Sequence, residues 1–228
     1  MDRKEKEAMR VIFVRHGEST GNVGIPSFDL SQMALTALGQ TQAQEVAASW
    51  QAAPSLIAAS SYLRAQQTAQ PTVDRYPGVQ VDVLPMEEFT YLEPSRWNGT
   101  SQQQRLPFIE AYWQRGDPAY CDGPGAENFE RLLGRVDSTL ARLASQPADA
   151  LVYAFSHGQF MQALRMVLLY PDWTPRQRMA NFWPFNIQNP ILNADKLEVH
   201  YRKGIWSTAP VPERAVTLAP HNAVHLLK

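Results

Sequence analysis

Apolar positions along this chain fall into short solid runs separated by longer stretches with a helical period. Val11-Ile12-Phe13-Val14, Leu56-Ile57-Ala58-Ala59 and Leu151-Val152-Tyr153-Ala154-Phe155 are dense in β-favouring apolar residues and read as buried strands. Val79, Val81 and Val83 alternate with polar residues, as a short half-buried strand does. Between the runs the period lengthens to 3.6. Thr36 is a candidate N-cap for a helix whose apolar face holds Leu38, Val46, Ala47 and Trp50. A second helix begins around Arg64 and ends near Tyr76-Pro77-Gly78. Glu127 to Ser145 carries Phe129, Leu132, Leu133, Val136, Leu140 and Leu143 on one stripe, and a helix with Phe160, Met161, Leu164 and Val167 follows Gly158.

The rest is less regular. Residues 1–9 are expected to be a frayed tail, and Thr20 to Met33, with Gly21, Asn22, Gly24 and Pro26, an irregular loop. Glu87 to Pro118 is rich in aromatics and holds one or two helices. Beyond Pro171 the pattern loosens, with Leu197 to Tyr201 and Ala215 to Leu218 as edge strands. Strand and helix alternate and no linker interrupts them. The expectation is one domain over residues 1–228 with an α/β fold: a three-layer sandwich whose mostly parallel central sheet has helices on both faces. An irregular, aromatic-rich insertion at about 87–125 is expected to cover the sheet's functional end.

Composition narrows the function classes. The 228 residues are 44% hydrophobic, ordinary for a domain with a sizeable core, and the formal net charge is -1. That charge gives no bulk basic field for nucleic acid or anionic lipid, so neither is expected as a partner. The single cysteine, Cys121, cannot form an internal disulfide, and no Cys/His cluster has metal-ligand spacing. The charged N-terminus lacks a signal-peptide core, and no apolar run is long enough to span a membrane. A soluble cytoplasmic protein without metal or cofactor is the expectation.

Two of the strands end in the same way. Val14 is followed by Arg15-His16-Gly17-Glu18-Ser19, and Phe155 by Ser156-His157-Gly158. Ligands of open α/β sheets gather at the carboxyl ends of strands, and a glycine there lets the backbone turn sharply against them. The second run leads into Ser60-Ser61-Tyr62-Leu63-Arg64-Ala65-Gln66-Gln67-Thr68-Ala69. These stretches, in this order, resemble the histidine phosphatase superfamily, the phosphoglycerate-mutase-like proteins, with their R-H-G-E opening, S-x-L-x-R-A-x-Q-T-A segment and late S-H-G. Leu35-Thr36-Ala37-Leu38-Gly39-Gln40 also matches a family segment, and the resemblance runs roughly from residue 10 to residue 170.

The residue types suit phosphate chemistry. Guanidinium groups stay charged and pair bidentately with phosphate oxygens, which makes Arg15 and Arg64 candidates for neutralising a phosphate monoester. His157 adds a third donor if protonated. The resemblance implies that His16 is a nucleophile passing through a phosphohistidine, and that Ser19 and Asn22 add neutral donors to the phosphate. It also implies a glutamate that protonates the leaving group. Here Glu87 and Glu88 are adjacent; Glu88 aligns better, with Trp97-Asn98-Gly99 matching a later family W-x-G after extra residues, and Glu87 is the alternative. Two arginines make a metal unnecessary for charge stabilisation.

The implied function is a metal-independent phosphomonoesterase acting on small phosphate esters. A mutase is the nearest alternative. Mutases of this family carry E-R-H-Y-G and an adjacent pair of arginines; here Phe89-Thr90-Tyr91 follows the glutamate, and no Arg-Arg pair occurs. A catalytically silent phosphate-binding or interaction module would predict an eroded site, yet both arginines, both histidines and a carboxylate are present.

Overall fold

The computed structural model describes residues 8–211 apart from Ser27. Its elements run β1 (Met9–Arg15), a 3-10 turn (Leu30–Gln32), α1 (Ala37–Ala48), β2 (Leu56–Ala59), α2 (Leu63–Arg75), β3 (Val81–Val83), α3 (Pro94–Trp97), α4 (Gln102–Arg115), α5 (Phe129–Ala144), β4 (Leu151–Ser156), α6 (Gly158–Leu169), α7 (Pro175–Gln188), β5 (Lys196–Arg202) and β6 (Ile205–Thr208). The strands form one sheet in the order β3-β2-β4-β1-β5-β6. The β3/β2, β2/β4 and β4/β1 pairs are parallel, while β1/β5 and β5/β6 are antiparallel. The fold is α/β with a mixed, mainly parallel sheet. Among the described residues no helix is long and apolar enough to cross a membrane.

Alternation within the central strands divides the core in two. Val11 and Phe13 of β1 and Val152 and Ala154 of β4 face one layer, which contains Phe129, Leu132 and Val136 of α5 and Phe160 and Leu164 of α6. Val14, Tyr153 and Phe155 face the other, with Val46 of α1, Ala69 of α2 and Trp50. Each fully buried large apolar side chain contributes about 1.5–3 kcal/mol, so both layers hold the sheet between them.

Several boundaries differ from the sequence expectation. Met9 is fully buried in β1 rather than frayed, because its backbone register continues to Tyr201 of β5. Leu38 is 53% exposed: α1 buries Gly39, Ala43, Val46 and Ala47, one position round from Leu38. Leu197 to Tyr201 falls within β5, which is not an edge strand, since β6 covers it. The outer valines of β3, Val81 and Val83, point to solvent. The Ala215 to Leu218 strand lies outside the described residues. Helix α7 was hidden by Pro184 in its interior and a narrow buried face of Met179, Phe182 and Phe185. Its start was readable: Thr174 caps Gln177 reciprocally and Pro175 stands in the first turn.

The turn after β1 is pressed against the first turn of α1. The Thr36 N–H donates to the Glu18 carbonyl (2.9 Å), and Thr36 Oγ1 caps the Gly39 N–H (3.1 Å). A Cβ on Gly39 would lie 2.0 Å from the Glu18 carbonyl oxygen, and one on Gly17 would lie 2.5 Å from the Gly39 carbonyl oxygen. Backbone meets backbone here, so neither side can give way. Gly39→Ala is expected to cost about 1–3 kcal/mol, the usual range for overpacking. Gly134, inside α5 with nothing near its Cα, supplies the control: Gly134→Ala should stabilise by roughly 0.5–1 kcal/mol. Urea unfolding of the two variants measures both, and a neutral Gly39→Ala would contradict the contact.

Candidate active site

Parallel register brings the two histidines together. Arg15 of β1 is the partner of Ser156 of β4, so His16 and His157 leave the sheet side by side at the carboxyl ends of adjacent strands. Their ring centroids are 5.1 Å apart. Beyond them the chain turns into α1 on one face and α6 on the other, and such a divergence opens a crevice. Ser60, following β2, receives the same strand-end level through its N–H to the Phe155 carbonyl (3.0 Å). A pocket of about 260 Å³ opens over these ends.

His16 is buried and its ring is fully oriented. Nδ1 lies 2.7 Å from the Gly17 carbonyl oxygen, which can only accept, so Nδ1 carries the proton. Nε2 then has the lone pair and accepts from Arg64 Nε at 3.1 Å. Burial, reinforced by the Arg64 and Arg15 charges, pushes the His16 pKa well below its ordinary 6.5, against the smaller pull of the Gly17 carbonyl. The imidazole is neutral and presents an unprotonated nitrogen.

Arg64, the second residue of α2, is buried, and burial lowers its pKa to about 10, with Glu88 opposing the shift. It remains cationic at neutral pH. Its Nη1 donates to the Leu30 carbonyl (2.7 Å) and its guanidinium lies 5.0 Å from the Tyr62 ring centre. Arg15 Nη1 donates to the Ile191 carbonyl (2.7 Å); burial lowers its pKa as well, opposed by Glu88 and Asp195. Both arginines line the pocket beside His16.

His157 is fully buried directly beside His16, and burial, then the charges of Arg64, His16 and Arg15, lowers its pKa well below 6.5. The sequence reading made a donor role conditional on protonation; burial and the neighbouring Arg64, His16, Arg15 and Arg135 favour the neutral ring. Its Nε2 is 2.9 Å from Ser60 Oγ. Ser60 is itself buried and already accepts the Tyr62 N–H (3.2 Å). A Ser60 hydroxyl donating to Nε2 satisfies both groups and leaves the proton on Nδ1. The reverse assignment would leave the serine hydrogen without an acceptor. His157 Nδ1 has no hydrogen-bond partner among the described residues.

Ser19 and Asn22 both reach the pocket, but they are engaged with each other. The Ser19 hydroxyl and N–H donate to Asn22 Oδ1 at 2.9 and 3.0 Å. Glu88 lines the pocket, its Oε1 accepting the Gln159 N–H at the start of α6 (2.9 Å) and its neighbour Phe89's N–H (3.1 Å). Glu87 turns the other way. It accepts from the Ser61 hydroxyl (2.9 Å) and sits 3.6 Å from Arg135 Nη1, away from the pocket lining. The structure thus brings together His16, His157, Arg15, Arg64, Ser19, Asn22 and Glu88, and leaves Glu87 outside.

Supporting residues escaped the sequence reading. Asn193, in the loop after α7, donates to the His16 carbonyl (2.9 Å) and to Asn22 Oδ1 (3.2 Å); nothing in its local pattern signals this. Thr68 accepts the Gly17 N–H (3.0 Å), and its place in the Q-T-A motif was the available signal. Arg135 grips Glu127 with two donors and holds the Pro85 and Glu87 carbonyls, steering the Glu88 segment from α5. Tyr62 stands where the family segment has leucine, lining the pocket with its ring edge-on to His157 at 5.3 Å. Among the described residues no three His, Cys, Asp or Glu side chains converge as metal ligands would.

Known structures share this architecture. The native mycobacterial glucosyl-3-phosphoglycerate phosphatase is 27% identical with a TM-score of 0.67, covering 88% of this chain and 97% of its own. The protein described as mycobacterial hydrolase 1 is 25% identical, with a TM-score of 0.68 over 90% of this chain and 98% of its own. A putative alpha-ribazole-5'-P phosphatase from Escherichia coli, at 20% identity, shares the fold, with a TM-score of 0.69 over 92% of this chain and 98% of its own. No curated protein matches by sequence. The sequence model of the superfamily, branch 1, matches residues 11–201 and so takes in both strand-end histidines and both arginines. The chain belongs to the histidine phosphatase superfamily.

Proposed function

We propose that this chain hydrolyses small phosphate monoesters through a phosphohistidine at His16. The observation that carries the reading is the His16 ring itself: neutral, its Nδ1–H bound to the Gly17 carbonyl, its Nε2 lone pair beside two partly or fully buried guanidinium groups at the pocket floor. The family match and the phosphatase named at 27% identity support hydrolysis.

The steps follow from the residues. The phosphoryl group enters against Arg15 and Arg64, and the Arg64 Nε–H moves from His16 Nε2 to a phosphoryl oxygen. Nε2 attacks phosphorus, a P–N bond forms, and the P–O bond to the leaving group breaks. Glu88 passes a proton to the departing alkoxide. The phosphorylated ring is cationic, and the Gly17 carbonyl accepting its Nδ1–H stabilises it. Glu88, now ionised, takes a proton from water as water attacks phosphorus, releasing inorganic phosphate and restoring His16. His157 contributes as a neutral donor through Nδ1–H, with Ser60 holding that tautomer, and Ser19 and Asn22 add donors once their mutual bond opens.

Removal of the nucleophile tests the core of the scheme. His16→Ala should abolish both turnover and the acid-labile phosphoenzyme seen on denaturing gels after brief exposure to labelled substrate. Persistence of near-normal turnover rules His16 out.

The proton donor is separable from its neighbour by leaving group. An alkyl phosphate departs as a strongly basic alkoxide, whereas nitrophenolate leaves unaided. Glu88→Gln should therefore cost on the order of a hundredfold or more on an alkyl phosphate, and clearly less on nitrophenyl phosphate. Glu87→Gln, which loses only its Ser61 and Arg135 contacts, should affect both esters alike and modestly.

The histidine states are directly observable. Because both folded pKa values lie well below 6.5, His16 and His157 should remain neutral at about pH 6, with the proton on Nδ1 in each, by ring 15N NMR. Ser60→Ala should mix the His157 tautomers and leave His16 unchanged. A charged ring at that pH, or a His157 tautomer indifferent to Ser60, contradicts the assignment.

A further inference from the structure

The pocket floor accounts for a phosphoryl group, but the pocket continues upward to a wall built by the turn between α3 and α4. That wall carries a third guanidinium, Arg105, on the first turns of α4. Arg105 is partly buried and has no hydrogen bond or ion pair through its side chain among the described residues. Burial lowers its pKa, and the only nearby titratable group that opposes the shift is the Tyr91 hydroxyl, whose own pKa is pushed up to about 12 and which is therefore neutral. Glu88, the pocket's one carboxylate, bears on Arg15 and Arg64 instead. A second donor stands on the same wall: the Trp97 indole N–H is buried and has no acceptor among the described residues. Partly desolvating a guanidinium and an indole N–H without partners costs stability, and the cost is recovered only when an acceptor arrives.

We infer that the Arg105 wall is a subsite for an anionic group on the leaving-group side of the substrate, a carboxylate or a second phosphate, with Trp97 as its second donor. The inference rests on the phosphomonoesterase reading for what occupies the floor. It adds that the preferred esters carry charge at both ends. The flanking apolar surface of Tyr91, Leu92 and Ile109 suits the short organic stem between them. Arg105 acts on selection among esters and takes no part in the chemical step. A guanidinium fork pairs with a carboxylate or phosphate bidentately, which a neutral amide of the same shape cannot reproduce.

The test compares 3-carboxyphenyl phosphate with its neutral isostere, 3-carbamoylphenyl phosphate, and with a phenyl phosphate bearing a second phosphate ester. A charged hydrogen bond is worth about 1.5–3 kcal/mol, so kcat/KM should favour the charged esters by about tenfold to a hundredfold. The carboxylate and bisphosphate arms tell which anion is preferred. Arg105→Gln should collapse the ratio of charged to neutral ester, and Arg105→Lys should keep part of it. Calorimetric binding of the same esters to His16→Ala reads the subsite without turnover. Equal binding of charged and neutral esters, or a ratio untouched by Arg105→Gln, overturns the inference while leaving hydrolysis intact. Binding preference without any turnover in the parent chain supports the subsite and sinks the phosphatase reading instead.

Discussion

The site depends first on the pairing of β1 with β4. Because the pair is parallel and Arg15 lies opposite Ser156, both chains leave the sheet at the same level and in the same direction. A slip of one residue would turn Val11 and Phe13 from one core layer into the other, so two hydrophobic layers police the register on which the histidines depend. The geometry of the candidate site is thus secured by the apolar packing of the sheet. The glycine-to-backbone contact between residues 17–18 and Gly39 then fixes the turn itself, and the Thr68 hydroxyl receives its N–H.

Placing two imidazoles and two guanidinium groups together at a buried pocket floor has an electrostatic cost. Both histidines avoid charge, and burial lowers the pKa of Arg15 and Arg64 alike. Linkage gives the sign. Each histidine's folded pKa lies below its ordinary 6.5, so the stability is full above that pH and erodes as pH falls towards the folded values, where the unfolded chain binds protons that the folded chain refuses. A bound phosphate dianion reverses the balance by supplying the missing negative charge. Strain of this kind, relieved by substrate, is what a preorganised phosphate site consists of.

Much of this was legible in the chain. Solid apolar runs marked β1, β2 and β4, because strands buried on both faces need no alternation. The residues behind them, Arg15, His16, Arg64 and His157, were readable because each stands at a fixed offset from a strand end or helix start. Legibility failed where contacts are long-range or local patterns weak. Asn193 reaches His16 across the sequence from an irregular loop, and α7 keeps too narrow an apolar face around Pro184 to show its period. The choice between Glu87 and Glu88 turns on a backbone direction that Arg135 of α5 imposes, which adjacent identical residues cannot reveal. The protonation of His157 stayed open in the sequence for a related reason: charge state follows from burial and from neighbours remote in sequence.

The floor and the wall of the pocket answer to different constraints. His16 and His157 on the floor follow strand ends, so the sheet sets their positions. The wall belongs to residues 87–125, whose Phe89, Tyr91, Tyr112 and Trp113 pack on one another and on Phe129 of α5 as part of the main core layer. They also dock on the late part of the chain, where Trp113 stacks on Phe182 and Trp183 of α7. Of the aromatics noticed in the sequence, Phe108, Tyr112 and Trp113 lie away from the pocket lining, whereas Phe89, Tyr91 and Trp97 reach it beside Leu92, Arg105 and Ile109. Because these aromatics pack into the same apolar layer as β1, β4 and α5, the wall and the floor of the pocket rest on one continuous core.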